Sequence, residues 1–458
     1  MKSRSGSAAI FTTGILLGAA AVAPPAQAQL KIQRSEQRLL PTGDDVVHDL
    51  FGSAVAIDGK TMVIGAQGAD GIGFDTGVAY IFERSGDGWV QTAKLFANDA
   101  DIPQRRTDVP ELPATIDDEF GTSVAISGDT VAIGSPGHRS RPDLPPSSGA
   151  VYVFQRVDGT WIQQAELSPP TPATDGTFGS PRTLGISGDI IAVGNSIGTS
   201  ATAIPSVAIF TRTNGTWGLT ATLTVPDDFS FSPDSVAVDR HTVVVGSTFS
   251  DAVGAFQAGA AYVFRFVEEG PMAGSWVQQA RLTATDPSFG ALFGFSVAVS
   301  GKVAAVGAVS GPGVTAQSGA AYAFTRDDGA WGKEAKLIAR DGADGDFFGM
   351  SVALDDGTVL VGAQSHTTAV APQAGSAYVY RRLNGDWSQL AEVSASDGIQ
   401  GGTFGQTVAI QGATLLVGAA GQNANVEGYS GGEAYVYRLK EGDAPRASPT
   451  AMTGGEGN

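Results

Sequence analysis

The 458-residue chain contains no cysteine. That absence excludes disulfide staples, thiol catalysis, a lipidated cysteine and cysteine-ligated zinc. Histidine is nearly as scarce, with four residues: His48, His138, His241 and His366. No two of these have metal-ligand spacing, and none lies beside a nucleophile motif. Cations are also few. Against 46 Asp and Glu stand 28 Lys and Arg, for a formal charge of −18. Such a surface repels phosphate backbones and anionic lipid, which argues against nucleic-acid or membrane-surface binding by the whole molecule. Beyond the N-terminal segment no run reaches 18 apolar residues, so no membrane-spanning helix is expected. What is abundant is glycine, 62 residues, nearly twice the usual ~7%. With 42% hydrophobic residues the chain is too apolar for disorder, and the glycine excess reads as many tight turns between short strands.

The N-terminus has the form of an export signal. Lys2 and Arg4 make a basic start, residues 8–22 form a short apolar run, and Ala26-Gln27-Ala28 offers a small-x-small cleavage site. The expected mature chain begins near Gln29, carries a charge of −20, and is secreted, periplasmic or extracellular at the cell surface.

Length alone suggests about three domains, but an internal repeat overrides it. A Phe-Gly pair recurs at Phe51-Gly52, Phe120-Gly121, Phe178-Gly179, Phe293-Gly294, Phe348-Gly349 and Phe404-Gly405, with Phe231-Ser232 as a degenerate copy. After each comes a short alternating run such as SVAI (123–126) or SVAV (296–299). A tight turn follows, then a run ending in Gly-Ala or Gly-Ser, such as VIGA (63–66). A third run resembles VAYIF (78–82), and a fourth opens on Trp89, Trp161, Trp217, Trp276, Trp331 or Trp387. Alternation over four to seven residues reads as strand. Seven units of four antiparallel strands predict an all-β, seven-bladed β-propeller over residues 29–440. A parallel β-helix, the competing architecture, has shorter repeats. The remaining 441–458 read as a flexible polar tail.

The seventh unit stops after EAYVYRLK (433–440), without a Trp strand. Residues 30–40 contain Glu36-Gln37-Arg38-Leu39-Leu40, which matches the QARL and EAKL endings of the other fourth strands. The N-terminal segment is therefore expected to complete the last blade and hide the edge left there.

Phe-Gly, then Ser-Val-Ala, then Gly-Ala resembles the FG-GAP repeat that builds the integrin α-subunit propeller, in the form found in bacterial secreted proteins. The resemblance spans about residues 30–440 and implies a seven-bladed ring used for adhesion or ligand recognition. One departure matters. Integrin-type repeats often carry an Asp-rich calcium loop between the first and second strands. The equivalents here, Asp58-Gly59-Lys60, Ser300-Gly301-Lys302 and Asp355-Asp356-Gly357, are too short to wrap six to eight oxygens around Ca²⁺. No metal or other cofactor is expected.

Alternating strand direction puts the first-to-second and third-to-fourth turns on one face, and the longer connections on the other. Long loops on a rigid ring are where binding residues gather. Recurrent features read as scaffold: the Trp row as inter-blade packing, and Asp99, Asp227, Asp286, Asp341 and Asp397 as acceptors of backbone N–H groups at corners. Singular features read as function. Arg105, Arg106, His138, Arg139 and Arg141 form a local cationic cluster suited to a carboxylate, sulfate or phosphate group, or to pairing with Asp108, Glu111 and Asp143. Acidic residues before the anchors (Asp49, Asp117, Asp118, Glu119, Asp344 and Asp346) are read as turn solvation, with a carboxylate pair for glycoside hydrolysis as the alternative. The sequence thus points to a non-enzymatic, monomeric recognition or adhesion module with a protein or glycan ligand of anionic character. The alternatives are a polysaccharide-acting propeller enzyme and a structural envelope protein.

Overall fold

A computed structural model describes residues 35–42, 49–71, 76–98, 118–138, 148–171, 177–195, 204–252, 255–422 and 431–439. The expected N-terminal signal and C-terminal tail lie outside these. The described residues form seven four-stranded antiparallel sheets. None forms a helix long and apolar enough to cross a membrane.

Blade 1 runs outward through Ala54–Asp58, Thr61–Ala66, Val78–Ser85 and Gly88–Leu95. Blades 2 to 6 repeat this order, with inner strands Ser123–Ser127, Leu184–Ser187, Ser235–Asp239, Phe293–Ser300 and Phe348–Asp355. Blade 7 begins at Thr407–Gln411, and its outer strand is Ser35–Leu39. The inner strands surround a central cavity of about 520 Å³ that all seven blades line.

The hydrophobic pattern follows from this stacking. Second and third strands are apolar at nearly every position because a neighbouring blade covers each face; Thr61–Ala66 is buried throughout. Fourth strands sit at the rim and alternate. Each cluster of the core joins residues of two adjacent blades, as Val63 and Ile81 meet Val131 and Ile133. The six tryptophans belong to these inter-blade clusters, as the sequence suggested.

Glycine makes the stacking close enough. Gly121, of the blade 2 anchor, has φ +93°, and a Cβ on it would lie 2.4 Å from the Val78 carbonyl oxygen. Its own carbonyl oxygen lies 2.0 Å from where a Cβ of Gly65 would stand. The seam between blades 2 and 3 adds a side chain: Ser123 Oγ donates to the Gly179 carbonyl at 2.8 Å. Ser235, Ser296, Ser351 and Thr407 make the same bond to Gly294, Gly349, Gly405 and Gly52. The Ser-Val-Ala and Phe-Gly motifs are therefore two halves of one inter-blade joint. Each anchor phenylalanine packs against third-strand rings of its own blade, as Phe348 does against Tyr378 (5.5 Å) and Tyr380 (6.0 Å). The degenerate anchor gives a looser seam, where a Cβ on Gly194 would lie 2.9 Å from the Pro233 carbonyl oxygen.

The tight-turn face is cross-linked as well. Asp58 Oδ2 accepts from Gly128 N, Asp239 Oδ2 from Gly301 N, and Asp355 Oδ2 from Gly412 N, each at 2.6 Å. All seven first-to-second connections are two-residue hairpins. One third-to-fourth connection departs from the expected tightness: in blade 4 residues 268–274 separate Val267 from Ser275.

The ring closes as the sequence implied. Ser35–Leu39 pairs antiparallel with Glu433–Arg438, with Ser35 opposite Arg438 and Leu39 opposite Ala434. Leu39 is buried, Arg38 pairs with Glu433 and lies 3.4 Å from Asp397, and Tyr437 Oη donates to Glu36 at 3.2 Å.

Two outcomes follow. Gly134→Ala sets a Cβ 2.1 Å from the Gly179 carbonyl oxygen and 2.2 Å from Ser123 Oγ, and should cost at least about 1–3 kcal/mol in chemical denaturation; unchanged stability would contradict the joint. A chain starting at Pro41 exposes the Glu433–Arg438 edge and removes Arg38 from Glu433. It should melt lower and self-associate with rising concentration, whereas a wild-type melting curve would contradict closure by this strand.

Candidate functional site

Functional chemistry must come from what the scaffold leaves unspent, and the two faces differ sharply. Five phenylalanines are exposed among the described residues: Phe229, Phe249, Phe256, Phe289 and Phe347. All five sit in connections of the long-loop face, between the third and sixth blades. Phe229 is fully exposed and Phe289 is 74% exposed. Phe256 and Phe289 come from neighbouring connections and stack at 6.4 Å with planes 13° apart. Holding phenyl rings in water forfeits about 1.5–3 kcal/mol each relative to burial, and clustered exposed apolar surface marks interaction sites. Beside Phe229 a groove of about 430 Å³ runs between blades 3 and 4, with Asp228, Asp251 and Arg281 among its walls.

The central cavity has a different lining. Its inner-strand hydroxyls donate across the seams, and its described lining contains one charged side chain, Arg182. Arg182 has φ +66°, and its guanidinium sits 4.1 Å from the Phe295 ring centroid. Enclosure by the ring pushes its pKa below the usual arginine value, and Asp234 opposes that shift. No carboxylate lines the described cavity.

The acids preceding the anchors turn away from it. Asp118 and Asp346 are buried and face histidines: Asp118 Oδ1 is 3.1 Å from His138 Nδ1, and Asp346 Oδ2 is 2.7 Å from His366 Nδ1. Asp344 accepts from Gln317 N at 2.9 Å, Asp49 is buried, Glu119 follows Asp118 in the left-handed region at φ +54°, and Asp117 lies outside the described residues. The channel-mouth carboxylate pair needed for the hydrolase alternative is not assembled there among the described residues.

Of the predicted cationic cluster, Arg105, Arg106, Arg139 and Arg141 lie outside the described residues. His138 is buried, edge-on to Tyr152 at 5.6 Å, with Nε2 4.0 Å from Glu166. It faces carboxylates inside the blade rather than a ligand outside it.

The recurrent aspartates have a more specific role than corner capping. Tyr322 Oη donates to Asp286 Oδ1 at 2.8 Å, Tyr435 Oη lies 2.7 Å from Asp397 Oδ1, and Tyr262 Oη donates to Asp228. In each pair the tyrosine belongs to the blade after the aspartate, so the bond joins blades. The blade 4 partner is Asp228, not Asp227, and Asp228 also accepts from Ser230 N, the corner bond that was expected. Asp99 lies outside the described residues. A fourth-strand cation completes the clamp. Lys336 Nζ is 2.5 Å from Asp286, Arg281 Nε donates to Tyr262 Oη at 3.0 Å, and Arg38 lies beside Asp397. Blade 6 differs: across from Tyr378 stands Glu392, and the ligand atoms of Asp341, His366 and Glu392 lie within 4.8 Å of one another. Sequence spacing could not find this group, because its members come from three separate elements.

The exposed phenylalanines escaped the sequence reading for another reason: phenylalanine is the anchor residue of every blade of this repeat. The available signal was register. Phe229, Phe249, Phe256 and Phe289 occupy neither an anchor nor a third-strand position.

Burial, then the bond to the aspartate, raises Tyr262 and Tyr322 above the ordinary tyrosine pKa, and burial raises Tyr378, Tyr380 and Tyr435 too. A raised folded pKa contributes stability that is whole below the unfolded value of about 10 and is lost as pH rises through the folded value. Stability should therefore hold to about pH 10 and then fall steeply, with tyrosinate absorbance at 295 nm appearing together with unfolding. Titration of these tyrosines near pH 10 in a fully folded protein would contradict the clamps.

A family description of the FG-GAP repeat matches residues 34–82, 114–154, 276–324, 331–380 and 387–437, slightly more than half of the chain. Comparison with curated proteins gave no match.

Proposed function

Because the chain belongs to the FG-GAP repeat family, we propose that it is an exported, monomeric recognition or adhesion module whose long-loop face docks a protein or glycan partner. One observation carries this reading: every exposed phenylalanine among the described residues lies on that face. Aromatic anchors dominate the energetics of recognition surfaces, because a large rigid ring buries much area at little entropic cost. The groove beside Phe229 offers a pocket for a partner side chain, with Arg281 and Asp251 placed for polar contacts at its edge. Phenyl rings have no polar tip, so the surface suits an apolar protein patch better than a sugar. The cationic cluster expected from the sequence, Arg105, Arg106, Arg139 and Arg141, would add attraction for acidic groups of a partner.

The test compares two sets of variants by pull-down and glycan array. Replacing Phe229, Phe249, Phe256 and Phe289 by Ser should weaken binding at least about tenfold, since anchor truncations commonly cost 2 kcal/mol or more, while the melting temperature stays near wild type. Replacing Val157, Met272 and Leu383, exposed on the opposite face, should leave binding unchanged. Retained binding in the first set, or equal loss in the second, would contradict the assignment of the face.

A further inference from the structure

The clamp of blades 4, 5 and 7 sets a rule that blade 6 breaks. Across from the clamp tyrosine those blades place Arg281, Lys336 and Arg38, each close to the aspartate of the preceding blade. In blade 6 the position across from Tyr378 is Glu392, so a fixed positive charge is exchanged for a second carboxylate beside Asp341. His366, from the loop after the second strand, enters the gap. Its Nε2 lies 3.9 Å from both Asp341 Oδ2 and Glu392 Oε1. Its Nδ1 lies 2.7 Å from Asp346 Oδ2, which also accepts from Ala343 N at 2.7 Å. A carboxylate has no proton to give, so Nδ1 carries the hydrogen, and in the neutral ring the Nε2 lone pair is turned toward the two other carboxylates. The Tyr378 side chain is fully buried, its hydroxyl facing Asp341 and Glu392, and its ring meets His366 edge-on at 5.8 Å.

We propose that this gap between blades 5 and 6 binds one divalent first-row transition metal ion, of which Zn²⁺ fits best, through His366 Nε2, Asp341 and Glu392. The ion stands where blades 4, 5 and 7 keep a lysine or arginine. Bonds of about 2.0–2.2 Å around Zn²⁺ set tetrahedral ligand atoms about 3.4 Å apart. The two 3.9 Å separations from His366 close to that by about half an ångström and the carboxylate pair starts within 4.8 Å; the Asp341 and Glu392 side chains are 49% and 32% exposed, and Glu392 Oε1 also accepts from Ser376 Oγ at 2.8 Å. The imidazole selects against Ca²⁺ and Mg²⁺, which take all-oxygen shells. Asp346 serves as the outer carboxylate that fixes the tautomer and orientation of a metal-bound histidine. The fourth position is open to water or the Tyr378 hydroxyl. Blade 2 repeats part of the set, with Asp118, His138 and Glu166 in corresponding places.

The test is isothermal titration of the apo mature protein with Zn²⁺, alongside Glu392→Lys and His366→Ala. Glu392→Lys restores the residue type found at Lys336 and should fold with an unchanged or higher melting temperature. The expected result is that each variant binds one Zn²⁺ equivalent fewer than wild type, or binds at least tenfold more weakly, and that Ca²⁺ does not compete. Equal Zn²⁺ stoichiometry and affinity in wild type and folded Glu392→Lys would overturn the proposal. So would no Zn²⁺ binding by wild type, which would leave His366 as a structural partner of the carboxylates only, and so would displacement of Zn²⁺ by equimolar Ca²⁺.

Discussion

Blade stacking in this ring rests on a contact between two glycines. At the end of six of the seven second strands a backbone Cα comes so close to the next blade's anchor carbonyl that no Cβ fits, as Gly65 against Gly121 and Gly246 against Gly294 show. Only at that distance can the second and third strands of neighbouring blades interleave their Val, Ile, Tyr and Phe side chains into shared cores. The serine of the inner strand then satisfies a carbonyl that the close approach would otherwise leave buried. A protein without cysteine thus obtains its rigidity from six copies of one backbone joint, a looser seventh, and a strand that ties the ends of the ring together.

That economy explains how much of the fold could be read directly. The Phe-Gly, Ser-Val-Ala and Gly-Ala motifs are the joint itself, so their recurrence reveals blade number, strand order and even closure by residues 35–39. The strand pattern was less transparent. Alternation reads the first-strand runs as half-buried, and the second strands gave no such signal: Thr61–Ala66 is buried on both faces because its neighbours are other blades, not solvent. The degenerate anchor Phe231-Ser232 still packs its ring, 5.5 Å from Tyr262, and the structure shows its effect as a looser seam.

The candidate site was far less legible, for physical reasons that differ from residue to residue. Charge drew the reading toward Arg105, Arg106, Arg139 and Arg141, yet its one described member, His138, turns inward to Asp118. The exposed phenylalanines were hidden by their own abundance: a residue that anchors every blade does not advertise a second use. The aspartates after the fourth strands were recognised as structural, but their partners are tyrosines about 35 residues onward in the next blade, a relation visible only when blades are set side by side. The same juxtaposition makes Asp341, His366 and Glu392 a group.

On the proposed reading, scaffold and recognition occupy separable sets of residues, the recurrent joints on one hand and the non-recurrent long-loop side chains on the other. Exchanging residues 248–258, which carry Phe249 and Phe256, for the corresponding blade 6 loop 364–374 tests that division most directly, with melting temperature and partner binding read on the same variant. The account predicts a wild-type melting temperature with binding lost. Binding retained in the folded exchange variant would contradict it.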